Sequence, residues 1–87
     1  MKSITVKIID PIGIHARPAS MISNTASKFQ STVTFVNGEK KGNAKSVINL
    51  MALSAKQGSS IEIITEGSDE QEAIDAIKKV METEKLI

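Results

Sequence analysis

Apolar and polar residues alternate at the beginning of the chain. Within residues 3–9, Ile4, Val6 and Ile8 are separated by polar residues, which is the period of a half-buried strand. The next segment, residues 10–13, interrupts this pattern because it contains a proline, which cannot donate to a strand ladder, and a glycine, which permits unusual backbone angles. The pattern therefore predicts a strand from Ser3 to Ile9 that ends in a turn.

A helical period follows the turn. Apolar residues recur at a spacing of three or four over about three turns: Ala19, Ile22, Ala26 and Phe29. Pro18 lies just before this stripe, which suits the first turn of a helix, where a backbone N–H has no helical partner. We therefore expect the helix to begin near His15 or Ala16.

A hairpin is predicted in the middle of the chain. Residues 32–36 have the composition of a strand, and Asn37-Gly38 is a strong signal for a two-residue hairpin turn. The partner strand is expected over residues 39–43, a short polar run that suits the edge or exposed face of a sheet.

The remaining residues predict a short helix, a strand and a longer helix. Ser46 precedes a compact apolar run over residues 47–53, which is typical of a helix capped by that serine. Residues 60–66 have a strand pattern. The segment Ser68-Asp69-Glu70-Gln71 has the form of a capping box, and apolar residues continue at helical spacing to about Glu84: Ile74, Ile77, Val80 and Met81.

The order of these elements indicates the fold class. Strand, helix, strand, strand, helix, strand and helix joined by short links favour an α+β fold in one domain over residues 1–87. We expect an open-faced two-layer sandwich, in which a four-stranded antiparallel sheet carries three helices on one face.

Composition narrows the possible functions. The chain has 87 residues and no cysteine, which fits one small domain without disulfides or zinc-thiolate sites. It has no Trp or Tyr and a net charge of only +1. We therefore expect neither an aromatic surface on which bases stack nor a strongly basic surface that binds nucleic acid. No unbroken apolar run is present at the N-terminus, so we expect a cytoplasmic protein without membrane insertion.

The charges are unevenly distributed. Residues 1–58 carry eight basic and two acidic side chains, a net of +6, whereas residues 59–87 carry three basic and eight acidic ones, a net of −5. One interpretation is an acidic first turn and a solvated face on the last helix. The other is a basic surface around the first two helices that faces an acidic protein partner.

The only histidine and the only arginine, His15 and Arg17, lie two residues apart at the predicted start of a helix. Free N–H groups and the helix dipole favour an anion there, and a guanidinium group suits phosphate oxygens. A neutral imidazole can itself attack phosphorus. The three features together describe a site that could accept a phosphoryl group and pass it on.

A histidine at this position has three alternative roles. A histidine at a helix start is often a cap or a surface residue. A metal site would need further ligands, and the chain has no second histidine and no cysteine. A Ser-His-Asp hydrolase would need a nucleophile elbow and a cleft, and the chain has no G-x-S-x-G motif.

Two motifs carry a resemblance to a known family. Residues 13–19, Gly-Ile-His-Ala-Arg-Pro-Ala, and residues 45–53, Lys-Ser-Val-Ile-Asn-Leu-Met-Ala-Leu, resemble the histidine-containing phosphocarrier proteins (HPr) of the bacterial sugar phosphotransferase system. Length, element order and the spacing of the motifs extend the resemblance over essentially the whole chain.

The resemblance implies a carrier and not an enzyme. His15 would accept a phosphoryl group on Nδ1 from the phosphohistidine of enzyme I and donate it to the IIA domain of a sugar-specific enzyme II. Arg17 would neutralise the phosphoryl oxygens, the N–H groups of Ala16 and Arg17 would face them, and Pro18 would shape the first turn. No cofactor is implied, and the family expectation is a monomer.

The second motif contains Ser46. Its position before an apolar run is fully explained by helix capping, but the resemblance implies a regulatory phosphorylation site for an HPr kinase/phosphorylase, with catabolite control protein A as a further partner. Candidates for the docking face are Ile14, Ser20, Val47, Ile48 and Met51. Two alternatives remain: a regulator that acts mainly through Ser46, against which the presence of His15 argues because regulatory members of the family lack this histidine, and a carrier for nitrogen regulation, which shares the histidine motif.

Overall fold

Seven elements follow one another in the predicted order. The computed structural model describes all residues, Met1–Ile87. The strands are β1 (Lys2–Lys7), β2 (Thr32–Asn37), β3 (Lys40–Asn43) and β4 (Ser60–Glu66), and the helices are α1 (Ala16–Ala26), α2 (Val47–Ala52) and α3 (Glu70–Thr83). None of the helices is long and apolar enough to cross a membrane.

The four strands form one antiparallel sheet in the order β1-β4-β2-β3. The short polar β3 lies at an edge, as the sequence predicted. The apolar positions of β1 pair with the apolar positions of β4, because Ile4 lies opposite Ile63 and Val6 lies opposite Ile61. These side chains point to the face that the three helices cover, and the other face is open. The predicted open-faced two-layer sandwich is confirmed.

A single cluster of 18 buried apolar residues lies between the sheet and the helices. The stripe predicted for α1 is confirmed over Ala19, Ile22 and Ala26, which are fully buried. Phe29 also packs against the core but lies beyond the end of the helix. Burial of this kind contributes about 25 cal/mol per Å² of apolar surface, so the helical stripe and the sheet face stabilise each other.

The hairpin differs from the prediction by one residue. Asn37 pairs with Lys40, so the two loop residues are Gly38 and Glu39 and not Asn37-Gly38. Asn37 stays in the strand because its side-chain amide donates to the carbonyl oxygen of Leu53 at 2.9 Å. Gly38 then takes a φ of 63°, a value that a primed hairpin turn requires at its first loop position.

The start of α3 also differs from the prediction. The N-cap is Asp69, and the expected capping box with Ser68 does not form. The Asp69 carboxylate instead accepts hydrogen bonds from the Ser31 hydroxyl and from the N–H groups of Ser31 and Gln30, which lie just before β2. These bonds, that of the Ser31 hydroxyl first, hold the pKa of Asp69 below its usual range. The carboxylate thus joins two elements instead of capping one.

The end of α3 supports the beginning of the chain. The N–H of Leu86 donates to the carbonyl oxygen of Met81 at 2.9 Å and that of Lys85 to Glu82 at 3.0 Å, which is the Schellman arrangement. The carbonyl of Leu86 in turn accepts the N–H of Ile9 at 2.7 Å. The last residues of the chain therefore lie against the turn that follows β1.

Candidate functional site

His15 is the N-cap residue of α1, which agrees with the helix start predicted near His15 or Ala16. Its backbone is extended, with a φ of −115° and a ψ of −173°, and its carbonyl oxygen accepts the N–H of Ala19 at 3.0 Å. The N–H groups of Ala16 and Arg17 have no acceptor within the chain, and the next residue, Pro18, has no N–H. The helix therefore presents two free donors beside the imidazole.

A tight turn places His15 at this position. The N–H of Gly13 donates to the carbonyl oxygen of Asp10 at 3.0 Å, and that of Ile14 donates to Ala55 at 3.1 Å. Gly13 has a φ of 83°, and a Cβ on this residue would overlap the carbonyl oxygen of Ala55. The turn thus needs glycine both for its backbone angle and for its close approach to the segment after α2.

The imidazole of His15 lies beside a carboxylate. Nε2 is 3.9 Å from Oδ2 of Asp10, and neither ring nitrogen makes a hydrogen bond within the chain. The His15 side chain is 36% exposed, whereas that of Asp10 is 18% exposed. The ring is therefore accessible from solvent on one side while its Nε2 faces a partly buried negative charge.

Arg17 projects from the first turn of α1. Its side chain is 82% exposed, and Nε lies 3.5 Å from Oε1 of Glu84, which is 13% exposed. Because the arginine end of this pair is open to solvent, water screens the interaction, which contributes no more than about 1 kcal/mol. The guanidinium group can therefore leave Glu84 at little cost when another anion is offered.

The site is a shallow surface formed by three segments: the turn after β1, the start of α1 and the residues after α3. It combines a nucleophilic imidazole, free N–H donors and a movable guanidinium group. The surface has no enclosed pocket, and no cluster of three or more His, Asp or Glu side chains is arranged to hold a metal ion. The arrangement suits the transfer of a small anionic group to and from the ring.

Ser46 caps α2 as predicted. Its hydroxyl oxygen accepts the N–H of Asn49 at 3.3 Å, and its backbone is extended. Its neighbour Lys45 is held in place, because its ammonium group donates to the carbonyl oxygen of Phe29 at 2.9 Å. The start of α2 is in turn tied to α1 through the hydroxyl of Ser23, which donates to the carbonyl of Lys45 at 2.8 Å.

The candidate docking residues differ in exposure. Ile48 and Met51 are 79% and 45% exposed, and Ser20 is exposed. Val47 is half-buried, and Ile14 is part of the core, with 7% exposure, so its side chain offers little surface to a partner. Four further large apolar side chains are exposed but are not among the docking residues predicted from the sequence: Met1, Ile9, Ile12 after β1 and Met21 on α1.

Sequence reasoning missed two acidic residues of the site. The sequence pattern assigns Asp10 only to a strand-ending turn, and Glu84 only to the approximate end of a helix. The Asp-Pro pair indicates a turn, but nothing local shows that its carboxylate faces His15. Glu84 reaches Arg17 across 67 positions of sequence, so no local pattern could have revealed it.

Comparison with known proteins extends over the whole chain. Residues 2–83 match the family described as "PTS HPr component phosphorylation site". The phosphocarrier protein HPr of Mycoplasma pneumoniae is 51% identical over 88 aligned positions, which cover all of both chains.

Solved structures of similar proteins have the same fold. A histidine-containing phosphocarrier protein of Mycoplasma superposes with a TM-score of 0.97 at 44% identity, and covers 99% of this chain and 98% of its own. An HPr dimer from Thermoanaerobacter tengcongensis superposes with a TM-score of 0.76 at 42% identity, with 97% of each chain covered. The monomer expected from the sequence stays a prediction.

Proposed function

This chain belongs to the HPr family of phosphocarrier proteins of the phosphotransferase system, and on that premise we propose that His15 is the residue that carries the phosphoryl group. The observation that supports this most directly is the position of His15 beside the free N–H groups of Ala16 and Arg17. We place the reaction in the bacterial cytoplasm, with enzyme I as donor and a IIA domain as acceptor.

The transfer needs only a nucleophile and compensation of charge. The lone pair of Nδ1 forms a bond to phosphorus while the P–N bond of the donor histidine breaks, and the donor ring keeps the electron pair. The phosphoryl oxygens accept hydrogen bonds from the N–H groups of Ala16 and Arg17. The Arg17 guanidinium leaves Glu84 to neutralise the remaining charge. Donation to the IIA domain is the same step with His15 as the leaving group.

The exposed apolar residues around the site supply the docking face in this proposal. Ile48 and Met51 project from α2, Ile12 from the turn after β1 and Met21 from α1. Exposed apolar side chains grouped around a polar centre are typical of protein interfaces. A flat site of this kind allows two protein histidines to approach each other directly, as the transfer requires.

The assignment of His15 is tested by phosphorylation with enzyme I and phosphoenolpyruvate. We expect one acid-labile phosphate on the wild-type chain and none on His15→Ala, measured by mass spectrometry before and after acid. The fold of the variant should be intact because the imidazole makes no capping bond. Ser46→Ala is the control and should be labelled as the wild type is. An acid-labile phosphate that persists on His15→Ala would place the acceptor elsewhere.

We further propose that Ser46 is a regulatory phosphorylation site for an HPr kinase/phosphorylase. The hydroxyl lies at the start of α2, where the free N–H groups favour a phosphate. The same helix carries the exposed Ile48 and Met51. A dianion there would have to be desolvated when enzyme I docks, and this cost would weaken the complex.

This second site has its own test. Kinase and ATP should give an acid-stable phosphate on Ser46, and the modified chain should accept phosphate from enzyme I at least about tenfold more slowly through a higher KM. Ser46→Asp should show part of the effect, and Ser46→Ala none. Unchanged enzyme I kinetics after complete phosphorylation of Ser46 would contradict the electrostatic explanation.

A further inference from the structure

Asp10 lies within ion-pair distance of the His15 imidazole. Its Oδ2 is 3.9 Å from Nε2, and its side chain is only 18% exposed. Glu84 is the other acidic side chain that contacts the site, and it faces Arg17. The negative charge on the imidazole side of the site therefore comes from Asp10.

The backbone around Asp10 is held on several sides. Its Oδ1 accepts the N–H of Ile12 at 2.8 Å, and its carbonyl oxygen accepts the N–H of Gly13 at 3.0 Å. Its own N–H donates to Leu86 at 3.4 Å. With Oδ1 occupied, only Oδ2 is free to face the ring, so the turn fixes which oxygen meets Nε2.

We propose that Asp10 is a positioning residue for His15, which keeps a proton on Nε2 and thereby leaves the lone pair of Nδ1 free to bond phosphorus. The inference rests on the proposed function of His15. A neutral imidazole carries one proton, and an ionised carboxylate only accepts hydrogen bonds. The carboxylate therefore favours the tautomer that is protonated on the nearer nitrogen, as partners of metal-bound histidines do.

The same contact stabilises the charge that develops during transfer. When Nδ1 bonds to phosphorus, its lone pair is used and the ring becomes positive, while the proton stays on Nε2. The donor's P–N bond breaks and its electrons stay on the donor ring, so no proton has to leave His15. A distance of 3.9 Å shortens to a hydrogen bond as the ring gains charge and the partner excludes water.

Two substitutions separate this role from the structural role of Asp10. In Asp10→Asn the side-chain oxygen must take the place of Oδ1 and accept the N–H of Ile12. The side-chain NH2 group, which is a donor, then faces Nε2. In Asp10→Ser the hydroxyl can still accept the N–H of Ile12, but it is too short to reach the ring. Asparagine should therefore reverse the tautomer preference, and serine should only relax it.

The first measurement is the tautomer of the ring. Since His15 is the only histidine in the chain, its 15N chemical shifts are unambiguous at a pH where the ring is neutral. We expect the Nε2–H form to dominate in the wild type and to decrease in Asp10→Ser. The Nδ1–H form should dominate in Asp10→Asn. Asp75→Asn, on the exposed face of α3, is the matched control and should leave the shifts unchanged.

The second measurement is the rate of transfer from phosphorylated enzyme I. We expect kcat to fall about tenfold in Asp10→Asn and by a smaller factor in Asp10→Ser, with KM unchanged in both. Amide spectra and thermal unfolding should match the wild type, because the turn is kept. A merely structural role would not reverse the tautomer or order the variants in this way.

The outcomes are distinguishable. Wild-type tautomer and kcat in Asp10→Asn would overturn the role of Asp10 while leaving the phosphocarrier assignment intact. Equal effects of asparagine and serine on the tautomer and on kcat would show that the group facing Nε2 does not set the tautomer, which would also overturn the role of Asp10. If the wild-type chain itself accepts no acid-labile phosphate, it is the proposed function of His15 that fails.

Discussion

At the scale of single residues, the candidate site depends on groups that contribute little to folding. The imidazole of His15 makes no capping bond, and Arg17 is 82% exposed with one loose ion pair. The residues that hold the site in place are others, namely Gly13 and Pro18. Substitutions at His15 or Arg17 should therefore change transfer without changing stability, and those at Gly13 should change both.

Gly13→Ala tests how the turn is held. Alanine at a φ of 83° is strained, and its Cβ would overlap the carbonyl oxygen of Ala55. We expect a loss of about 2–4 kcal/mol in the free energy of unfolding, from strain and overpacking together, measured by urea denaturation.

Gly38→Ala is the control for this substitution. Gly38 also has a positive φ, 63°, but a Cβ there would meet nothing within 4 Å. It should cost only about 1–2 kcal/mol. Equal losses at the two positions would mean that the contact with Ala55 is unimportant.

At the scale of elements, the starts of α2 and α3 differ in whether residues close in the sequence determine them. Ser46 caps α2 through its own side chain, so its sequence signal was sufficient. Asp69 begins α3, but its carboxylate bonds to Ser31 and Gln30. A polar residue at the N-cap therefore bonds within its own helix in α2, whereas in α3 it bonds to the segment that precedes β2.

The end of α3 offers a test at this scale. Lys85 has a φ of 60° at the position after the helix where glycine is usual. Lys85→Gly should therefore raise the free energy of unfolding by about 0.5–1 kcal/mol. Lys79→Gly, at an exposed position within the helix, should lower it by about 1 kcal/mol. A loss of stability in Lys85→Gly would show that the lysine side chain contributes more than its backbone strain costs.

At the scale of the whole molecule, the ion pairs bring the two oppositely charged parts of the chain together. The basic part, residues 1–58, and the acidic part, residues 59–87, meet where Arg17 contacts Glu84 and where the N-terminal amine contacts Glu70 at 2.8 Å. The bond from that amine lowers the pKa of Glu70. These two ion pairs thus neutralise part of the opposite charges within the fold, and the remaining charged side chains lie on the surface.

The hydrogen bonds that the Asp69 carboxylate accepts from Ser31 and Gln30 predict that the free energy of unfolding depends on pH. Because the folded pKa of Asp69 lies below its usual range, its contribution to stability is complete above its unfolded pKa, about 3.9, and is lost as the pH falls through the folded pKa. Asp69→Asn should therefore unfold at a lower urea concentration than the wild type at pH 7. The difference should shrink as the pH falls below about 4.

The matched control is Asp75→Asn. Asp75 is exposed on α3 and accepts a bond only from Gln71, at 3.1 Å, so its urea midpoint should follow the wild type at every pH. A difference between Asp69→Asn and the wild type that stays constant down to low pH would contradict the role of ionisation.

The sequence by itself determined the elements, their order and the position of the candidate site at the start of α1. Period-two and helical patterns depend on which face of each segment is apolar, and such patterns are local. Capping by Ser46 is likewise set by residues within one helical turn, and Pro18 marks the first turn of α1. The two motifs were sufficient to indicate the family.

The tertiary structure decided what depends on contacts between distant residues. The hairpin loop moved by one position because Asn37 bonds to Leu53. The capping box gave way because Asp69 bonds to Ser31. Glu84 contacts Arg17 across 67 positions of sequence, and Leu86, after α3, accepts the N–H of Ile9 at the turn that carries Asp10. Such bonds form only when the chain is folded, and no local pattern of residues encodes their geometry.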